Sequence, residues 1–218
     1  MKNYNKVTTL LAIVFVFTIS VELNAQSRSG GIKGGLNLSS LTIEEADDNN
    51  IIPGFHAGLW MKNMFTEQFG VQPEILFSTK GVKTVYNEEF LGFDVADGNT
   101  KLNLNYIDVP IYFVFQLAED FDFHLGPRIG YLLNASMETQ AEVLEFIDVD
   151  DEDEIDRENF NTLDYGFSGG LGFYLDPVTI GFNYDMGLRP VAKDGEFTED
   201  LLGDARNSTI QIYLGFAF

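Results

Sequence analysis

The clearest strand pattern in this chain is Ser-Thr-Ile-Gln-Ile-Tyr-Leu-Gly-Phe-Ala-Phe, residues 208–218. Large apolar residues occupy every second position of it, at Ile210, Ile212, Leu214, Phe216 and Phe218. Polar or small residues fill the positions between them. Because successive side chains of a β-strand point to opposite faces, this alternation predicts a strand with one apolar face.

Seven further segments alternate in a similar way and predict an all-β fold. The eight predicted strands are Gly31–Ser40, Pro53–Asn63, Gly70–Val85, Lys101–Leu117, Phe121–Asn134, Thr162–Leu175, Val178–Arg189 and Ser208–Phe218. The start of the fourth strand alternates less regularly than the rest, which predicts a β-bulge near Tyr106.

The connections between these strands alternate between short and long. The short connections are Met64–Phe69, Ala118–Asp120 and Asp176–Pro177. The long connections are Leu41–Ile52, Tyr86–Thr100, Ala135–Asn161 and Pro190–Asn207. An up-and-down barrel in the outer membrane has tight periplasmic turns and longer outer loops. A terminal Phe on an alternating strand is also similar to the assembly signal of such barrels. Together these features predict an eight-stranded antiparallel transmembrane β-barrel.

Residues 1–25 are predicted to be a cleaved secretory signal peptide. Lys2 and Lys6 give a basic start, Val7–Val21 is an apolar run, and Leu23-Asn24-Ala25 resembles a cleavage site. An N-terminal membrane anchor is the alternative, but the run is shorter than the roughly 20 residues that a spanning helix needs. Cleavage leaves one barrel domain at residues 26–218, and export predicts a place in the bacterial outer membrane.

The composition excludes several classes of protein. The chain has no cysteine, so it forms neither disulfides nor thiolate metal sites. A formal net charge of −21 argues against nucleic acid as a partner, because Lys and Arg are what bind phosphate. The four long connections carry 4, 4, 11 and 5 acidic residues but only three basic ones, which predicts acidic extracellular loops.

Charged residues within the predicted strands lie on the face opposite the apolar one. They are Lys33, Lys62, Glu74, Asp108, Arg128, Asp164 and Asp185. A Lys or Arg that faces lipid at the bilayer midplane costs about 2 to 4 kcal/mol, so this face is predicted to point inward. Eight strands enclose just enough room for side chains, which predicts an interior plugged by ion pairs and hydrogen bonds. A soluble lipocalin-like barrel with its apolar face inward, binding a hydrophobic ligand, is the alternative.

Four motifs resemble segments of PorT-like outer-membrane barrel proteins. They are Gly31-Ile-Lys-Gly-Gly-Leu-Asn-Leu-Ser39, Val71-Gln-Pro-Glu-Ile-Leu-Phe-Ser-Thr-Lys-Gly81, Tyr106-Ile-Asp-Val-Pro-Ile111 and Phe167-Ser-Gly-Gly-Leu-Gly172. The resemblance covers essentially the whole mature chain and implies an eight-stranded barrel in the outer membrane. Its namesake is linked to protein secretion across the outer membrane, so a secretion-accessory role is one expectation. The family pattern implies no catalytic residues.

The two histidines are the first candidates for chemistry. Neither His56 nor His124 stands beside a Ser or an acid at a spacing typical of a hydrolase, such as a nucleophile elbow. We therefore expect both to be interior polar residues with hydrogen-bond partners, and we expect no enzymatic activity.

The acidic run Asp148-Val-Asp-Asp-Glu-Asp-Glu154 is the strongest local signal for a ligand. Asp148, Asp150, Asp151 and Asp153 are candidate ligands for Ca²⁺ or Mg²⁺, because hard cations prefer carboxylate oxygens. The run lacks the Gly and Glu spacing of a helix-loop-helix calcium site, and a solvated run of like charges is the simpler interpretation. No other cofactor is expected.

These observations lead to one expected function and, besides the lipocalin-like barrel, one further alternative. We expect a non-enzymatic outer-membrane barrel with a structural, secretion-accessory or partner-binding role. Its expected partners are outer-membrane lipids and other envelope or secretion proteins. The alternative is a small channel whose selectivity depends on interior charges such as Arg128 or Asp185.

Overall fold

The computed structural model describes residues 27–42, 51–90, 93–143, 147–195, 198 and 202–218. The predicted signal peptide at residues 1–25 lies outside them. Nine strands make up nearly all of the described chain, together with one turn of 3-10 helix at Arg157–Asn159. The strands are β1 Ser27–Thr42, β2 Ile52–Met64, β3 Phe69–Phe90, β4 Phe93–Ala118, β5 Phe121–Val143, β6 Ile147–Ile155, β7 Leu163–Leu175, β8 Val178–Pro190 and β9 Arg206–Ala217.

The strands close into an antiparallel barrel. Except for β6 and β7, each strand pairs with its neighbour along the chain, and β1 pairs with β9 from Gly31 opposite Ala217 onward, which closes the sheet. Eight strands form the wall, because β5 pairs with β7 as well as with β4. Strand β6 is additional, and it pairs with the outer half of β5 between Ala135 and Val143. The predicted eight-stranded antiparallel barrel is confirmed.

Two of the four predicted long loops are paired hairpins in the structure, so their prediction as loops is wrong. Strands β3, β4 and β5 are 22, 26 and 23 residues long, whereas 9 to 11 residues cross the hydrocarbon. The expected connection Tyr86–Thr100 is therefore largely a β3–β4 hairpin, and the expected connection Ala135–Asn161 is largely a β5–β6 hairpin. Backbone pairing continues beyond the membrane because each N–H and C=O still gains a partner there. These segments do not contact lipid, so they lack the alternation of apolar and polar residues that is seen where the strands cross the hydrocarbon.

The outward face of the barrel is apolar. The side chains of Leu36, Leu214 and Phe182 are 64%, 59% and 43% exposed, whereas Lys33 and Arg128 on the inward face are 4% and 1% exposed. This pattern repeats along β7, β8 and β9 with a period of two. An outward apolar surface contradicts the lipocalin-like alternative, in which the apolar face would line the interior.

Phenylalanine rings form a chain near the end of the barrel that carries the short turns. The Phe69 ring lies 6.0 Å from that of Phe65 and 5.6 Å from that of Phe115, measured between centroids. The Phe115 ring continues to Phe123 at 6.3 Å. Aromatic girdles of this kind mark the membrane–water interface of outer-membrane barrels. Short turns of such barrels lie on the periplasmic side, so the turns at residues 65–68, 119–120 and 176–177 face the periplasm.

The β-bulge predicted near Tyr106 is confirmed. The register between β4 and β5 shifts between Asn105 and Tyr106, where Asn105 faces Asn134 and Tyr106 faces Leu132. The additional residue, Leu133, belongs to β5. Beyond this point the inward face of β5 passes from even-numbered residues to Ala135, and the interior becomes apolar.

The outward apolar face predicts that the cost of a charged substitution depends on its depth in the bilayer. Replacing Phe182, near the middle of β8, with Arg places a cation against the hydrocarbon and should lower the free energy of unfolding by about 2 to 4 kcal/mol. The matched control is Leu188→Arg on the same face near the outer interface, where the cost falls to about 0 to 1 kcal/mol. Urea unfolding in lipid vesicles measures both. Equal losses at the two positions would contradict a lipid-facing β8.

Candidate functional site

The centre of the barrel is organised around one arginine. Arg128 of β5 is 1% exposed, and its Nη1 atom lies 2.8 Å from Oδ1 of Asp108 on β4. Its Nη2 atom lies 2.7 Å from Oδ2 of Asp164 on β7. Asp185 of β8 approaches Nε at 3.7 Å, and Lys80 of β3 reaches Asp108 at 2.7 Å and Asp185 at 3.9 Å. Side chains from five strands thus meet at one buried cluster.

A second cluster lies closer to the periplasmic turns. Lys62 Nζ of β2 lies 2.7 Å from Oδ2 of Asp122 on β5 and 2.6 Å from the hydroxyl of Tyr174. The hydroxyl of Tyr174 also donates to Asp122. His124 completes the cluster, since Nδ1 lies 2.8 Å from Asp122 Oδ1 and Nε2 lies 2.8 Å from Asn183 Oδ1.

Hydrogen bonds join the two clusters. The Asn183 amide donates to the hydroxyl of Tyr112 at 3.2 Å, and that hydroxyl contacts Ser168 Oγ at 2.8 Å. Ser168 in turn donates to Asp185 Oδ1 at 2.5 Å. A connected path of polar contacts therefore leads from His124 to the charges around Arg128.

Two further pairs of polar side chains lie on the inward face of β1, β2 and β3. Lys33 pairs with Glu74 at 2.7 Å, and its ammonium lies 4.0 Å from the ring centroid of Tyr213. His56 Nδ1 lies 2.7 Å from Oδ1 of Asn37. Both histidines are thus buried polar residues with hydrogen-bond partners, as predicted.

The predicted plug of ion pairs and hydrogen bonds is confirmed, and it includes two charges that we did not assign to it. The buried charged side chains in the described part of the chain are Lys33, Lys62, Lys80, Arg128, Glu74, Asp108, Asp122, Asp164 and Asp185. Lys80 and Asp122 were the omissions. The period of two marks both as inward, because Lys80 shares the parity of Glu74 and Asp122 shares that of Arg128.

Glycines on the inward face make room for this network. A Cβ added at Gly181 would meet the ring of Tyr213. A Cβ at Gly172 would lie 3.0 Å from Asp122 Oδ1, and one at Gly130 would lie 2.7 Å from Asp108 Oδ1. The crowding expected of an eight-stranded interior is thus relieved where large polar side chains cross it.

An apolar cluster closes the outer end of the barrel. Its members are buried and come from the outer parts of the strands and from the segments that join them. They are Leu41, Leu102, Leu104, Tyr106, Leu132, Ala135, Phe160, Val191 and Ala205. Sequence reasoning missed this cluster, because the segments with Phe160 and Val191 were predicted to be long extracellular loops.

Cavities open at the two ends of the barrel, and no residue in the described part of the chain lines both of them. A cavity of about 650 Å³ opens between the periplasmic turns, and we call it the periplasmic vestibule. It narrows to a space of about 10 Å³ beside Lys33, Trp60 and Tyr213. A space of this size is about the least that holds one water molecule. A cleft of about 860 Å³ lies at the outer end, between Phe160 and Arg189.

The candidate cation ligands lie on strand β6. Their backbone pairs with β5, with Asp148 opposite Glu142 and Asp153 opposite Met137, so they do not belong to an irregular loop. Asp150 and Asp151 lie between them on the same strand. Among the described residues, no three His, Cys, Asp or Glu side chains converge as metal ligands, although the side chains of this run lie outside the described set. Binding of Ca²⁺ or Mg²⁺ there stays a prediction.

Comparison with protein families identifies the class of barrel. Residues 24–193 match the family described as "Outer membrane protein beta-barrel domain". The chain belongs to this family. Its barrel therefore lies in the bacterial outer membrane, as predicted. A comparison with curated proteins gives no significant match. The narrower resemblance to PorT-like proteins stays a prediction.

Several solved structures are similar to the barrel. Ail of Yersinia pestis, solved in complex with the heparin analogue sucrose octasulfate, is 17% identical and covers 88% of this chain and 99% of its own, with a TM-score of 0.41. Neisserial surface protein A is 11% identical, with coverages of 88% and 99% and a TM-score of 0.47. The outer membrane protease OmpT of Escherichia coli is 8% identical, with coverages of 88% and 95% and a TM-score of 0.36.

Among the described residues, no helix is long and apolar enough to cross a membrane.

The arginine cluster gives a prediction about stability. Arg128→Met leaves Asp164 buried without its cation and Asp108 with Lys80 alone, and it should lower the free energy of unfolding by about 3 to 5 kcal/mol. The matched control is Lys101→Met, which removes a bridge to Glu138 at 3.3 Å whose side chains are 32% and 33% exposed. Such a pair contributes about 0 to 1 kcal/mol. Urea unfolding in vesicles compares the two, and similar small losses would mean that the Arg128 cluster is not a structural centre.

Proposed function

We propose that this outer-membrane barrel is a non-enzymatic scaffold that holds two long, acidic hairpins outside the membrane for partner binding. The observation that carries the proposal is the combination of a filled interior with strands that extend well beyond the hydrocarbon. A transport function needs a continuous space, whereas a scaffold needs a rigid wall.

The filled interior of the barrel supports a scaffold that ions do not cross. The vestibule, which Lys62 helps to line, ends at a space of about 10 Å³, and the buried Arg128 cluster lies beyond that space, toward the apolar outer cluster. Ions would have to displace paired charges to pass, and breaking a buried pair costs about 3 to 5 kcal/mol. This favours the scaffold over the small channel that the interior charges also suggested.

The histidine contacts support the absence of catalysis. His124 resembles half of a catalytic dyad, since Nδ1 contacts Asp122, but Nε2 contacts Asn183 and the ring is 2% exposed. A general base must lie within reach of a substrate proton. Neither ring nitrogen of His124 faces an open cavity in which a substrate could lie.

The outer hairpins supply the surface for partners. Strands β3 and β4 pair as far as Phe90 opposite Phe93, and β5 and β6 pair as far as Val143 opposite Ile147. Their acidic residues favour partners that carry basic groups or bind cations. Envelope and secretion proteins are the class we propose, and the PorT-like motifs are consistent with a secretion-accessory role.

Conductance distinguishes the scaffold from the channel. The purified barrel should give no steady conductance in planar bilayers, because its interior is occupied by paired charges. A porin incorporated under the same conditions is the positive control. Regular conductance steps whose ion selectivity changes in an Arg128→Lys or Asp185→Asn variant would establish the channel and contradict the scaffold.

Trimming the hairpins tests partner binding. One variant joins Val85 to Asn99 through a tight turn, and a second joins Glu138 to Glu152; both are register pairs, so the β3–β4 and β5–β6 ladders below the cuts keep their partners. Both variants should assemble in the outer membrane but lose proteins that crosslink to the full-length barrel in cells. Quantitative mass spectrometry of the crosslinked material measures this loss. Unchanged partners in both trimmed variants would mean that the hairpins are not the binding surface.

A further inference from the structure

The periplasmic vestibule has the size of a ligand site. Its volume of about 650 Å³ falls within the roughly 300 to 1,000 Å³ of typical binding pockets. It lies between the three periplasmic turns and ends at the neck beside Trp60 and Tyr213. It is therefore a blind cavity, open to the periplasm and closed toward the barrel centre.

One part of its lining is apolar. Trp60, Met64, Pro177, Val178 and Ala217 contribute to the wall, and Trp60 is the chain's single tryptophan. The indole N–H donates to the carbonyl of Ile32 at 3.2 Å, which fixes the ring against the wall. A fixed aromatic ring of this kind is a low-entropy contact for an apolar side chain.

The rim of the vestibule is acidic. Glu67, Glu119 and Asp176 line the cavity from three different turns, and each is exposed. Asp120 adds a fourth acid to the same turns, and none of the residues 65–68, 119–120 and 176–177 is Lys or Arg. The strand ends beside these turns carry two basic residues, Arg28 of β1 and Lys62 of β2.

The floor of the vestibule does not reverse this charge. Lys62 is at the floor, but its ammonium already contacts Asp122 at 2.7 Å and the Tyr174 hydroxyl at 2.6 Å. The paired charges cancel locally, whereas the mouth carries the carboxylates of Glu67, Glu119 and Asp176. A ligand entering the vestibule therefore meets a negative rim first and an apolar wall next.

We propose that the periplasmic vestibule binds an extended peptide segment of a periplasmic protein, in which basic and apolar side chains alternate. The apolar side chains contact Trp60 and Met64, and the basic ones pair with Glu67, Glu119 and Asp176. Three carboxylates on three separate turns match an extended chain better than a single compact ion. This site is independent of the outer hairpins, because the filled barrel interior lies between the two.

Trp60 provides the readout. The barrel is reconstituted in lipid nanodiscs, which leave both faces accessible, and titrated with a short peptide in which Lys alternates with Phe. Saturable changes in Trp60 emission, accompanied by heat in calorimetry, are expected, and both should weaken as salt screens the rim. Neither emission change nor heat at millimolar peptide would overturn the proposal.

Two sets of variants locate the binding. Neutralising the rim with Glu67→Gln, Glu119→Gln and Asp176→Asn should weaken the peptide about tenfold, as expected for three exposed ion pairs. The matched control neutralises three exposed acids at the outer end, with Glu158→Gln, Asp194→Asn and Asp204→Asn, and should bind as the parent does. Equal affinity of parent and rim variant would overturn the proposal.

Two further ligands test the chemistry of the occupant. A peptide in which Glu alternates with Phe should not bind, and an equal response to it would show adsorption to lipid instead of recognition. Spermidine carries the charge without the apolar side chains, and a full response to it would replace the peptide with a simple cation. The hairpin-trimmed variants should bind the Lys–Phe peptide normally, so failure of the outer scaffold and failure of this site are distinguishable.

Discussion

The pairing of Arg128 with Asp108 and Asp164 is the interaction on which the rest of the structure depends. A guanidinium that is 1% exposed cannot remain charged inside a narrow barrel unless carboxylates surround it. Those carboxylates come from β4 and β7, the two wall strands beside β5, and Asp185 is supplied by β8. With Lys80 of β3, the cluster therefore fixes the relative positions of five strands. It also requires the apolar face of each of these strands to point outward.

The narrow interior explains the features that accompany the cluster. Glycines at positions 130, 172 and 181 leave room for side chains that cross the barrel. Tyrosine and histidine rings connect charges that are too far apart to touch. Because the polar network and the apolar outer cluster fill the interior, the two ends of the molecule are separate surfaces. Binding at the periplasmic end and at the outer hairpins can differ in chemistry, as their lining residues do.

The sequence predicted the membrane part of the fold well, because lipid imposes a strict rule there. Every wall strand shows one face free of charge where it crosses the hydrocarbon, and the predicted boundaries of β7 and β8 differ from the observed ones by one residue at most. The hairpins β3–β4 and β5–β6 were mistaken for loops, since outside the membrane backbone pairing alone holds a strand. The inward direction of Arg128 was predictable from its parity, but its partners were not. Which residues meet across a barrel depends on the register of all eight strands together.

The direction of the two faces is best tested with tryptophan and brominated lipids, which quench indoles that lie in the hydrocarbon. In the parent chain the single tryptophan, Trp60, points inward and is 8% exposed, so brominated lipids should leave its emission almost unchanged. A Trp60→Phe, Phe182→Trp variant moves the indole to the outward face of β8, and its emission should be strongly quenched. Strong quenching of Trp60 with none at position 182 would contradict a barrel that keeps its charges inside and its apolar face in the lipid.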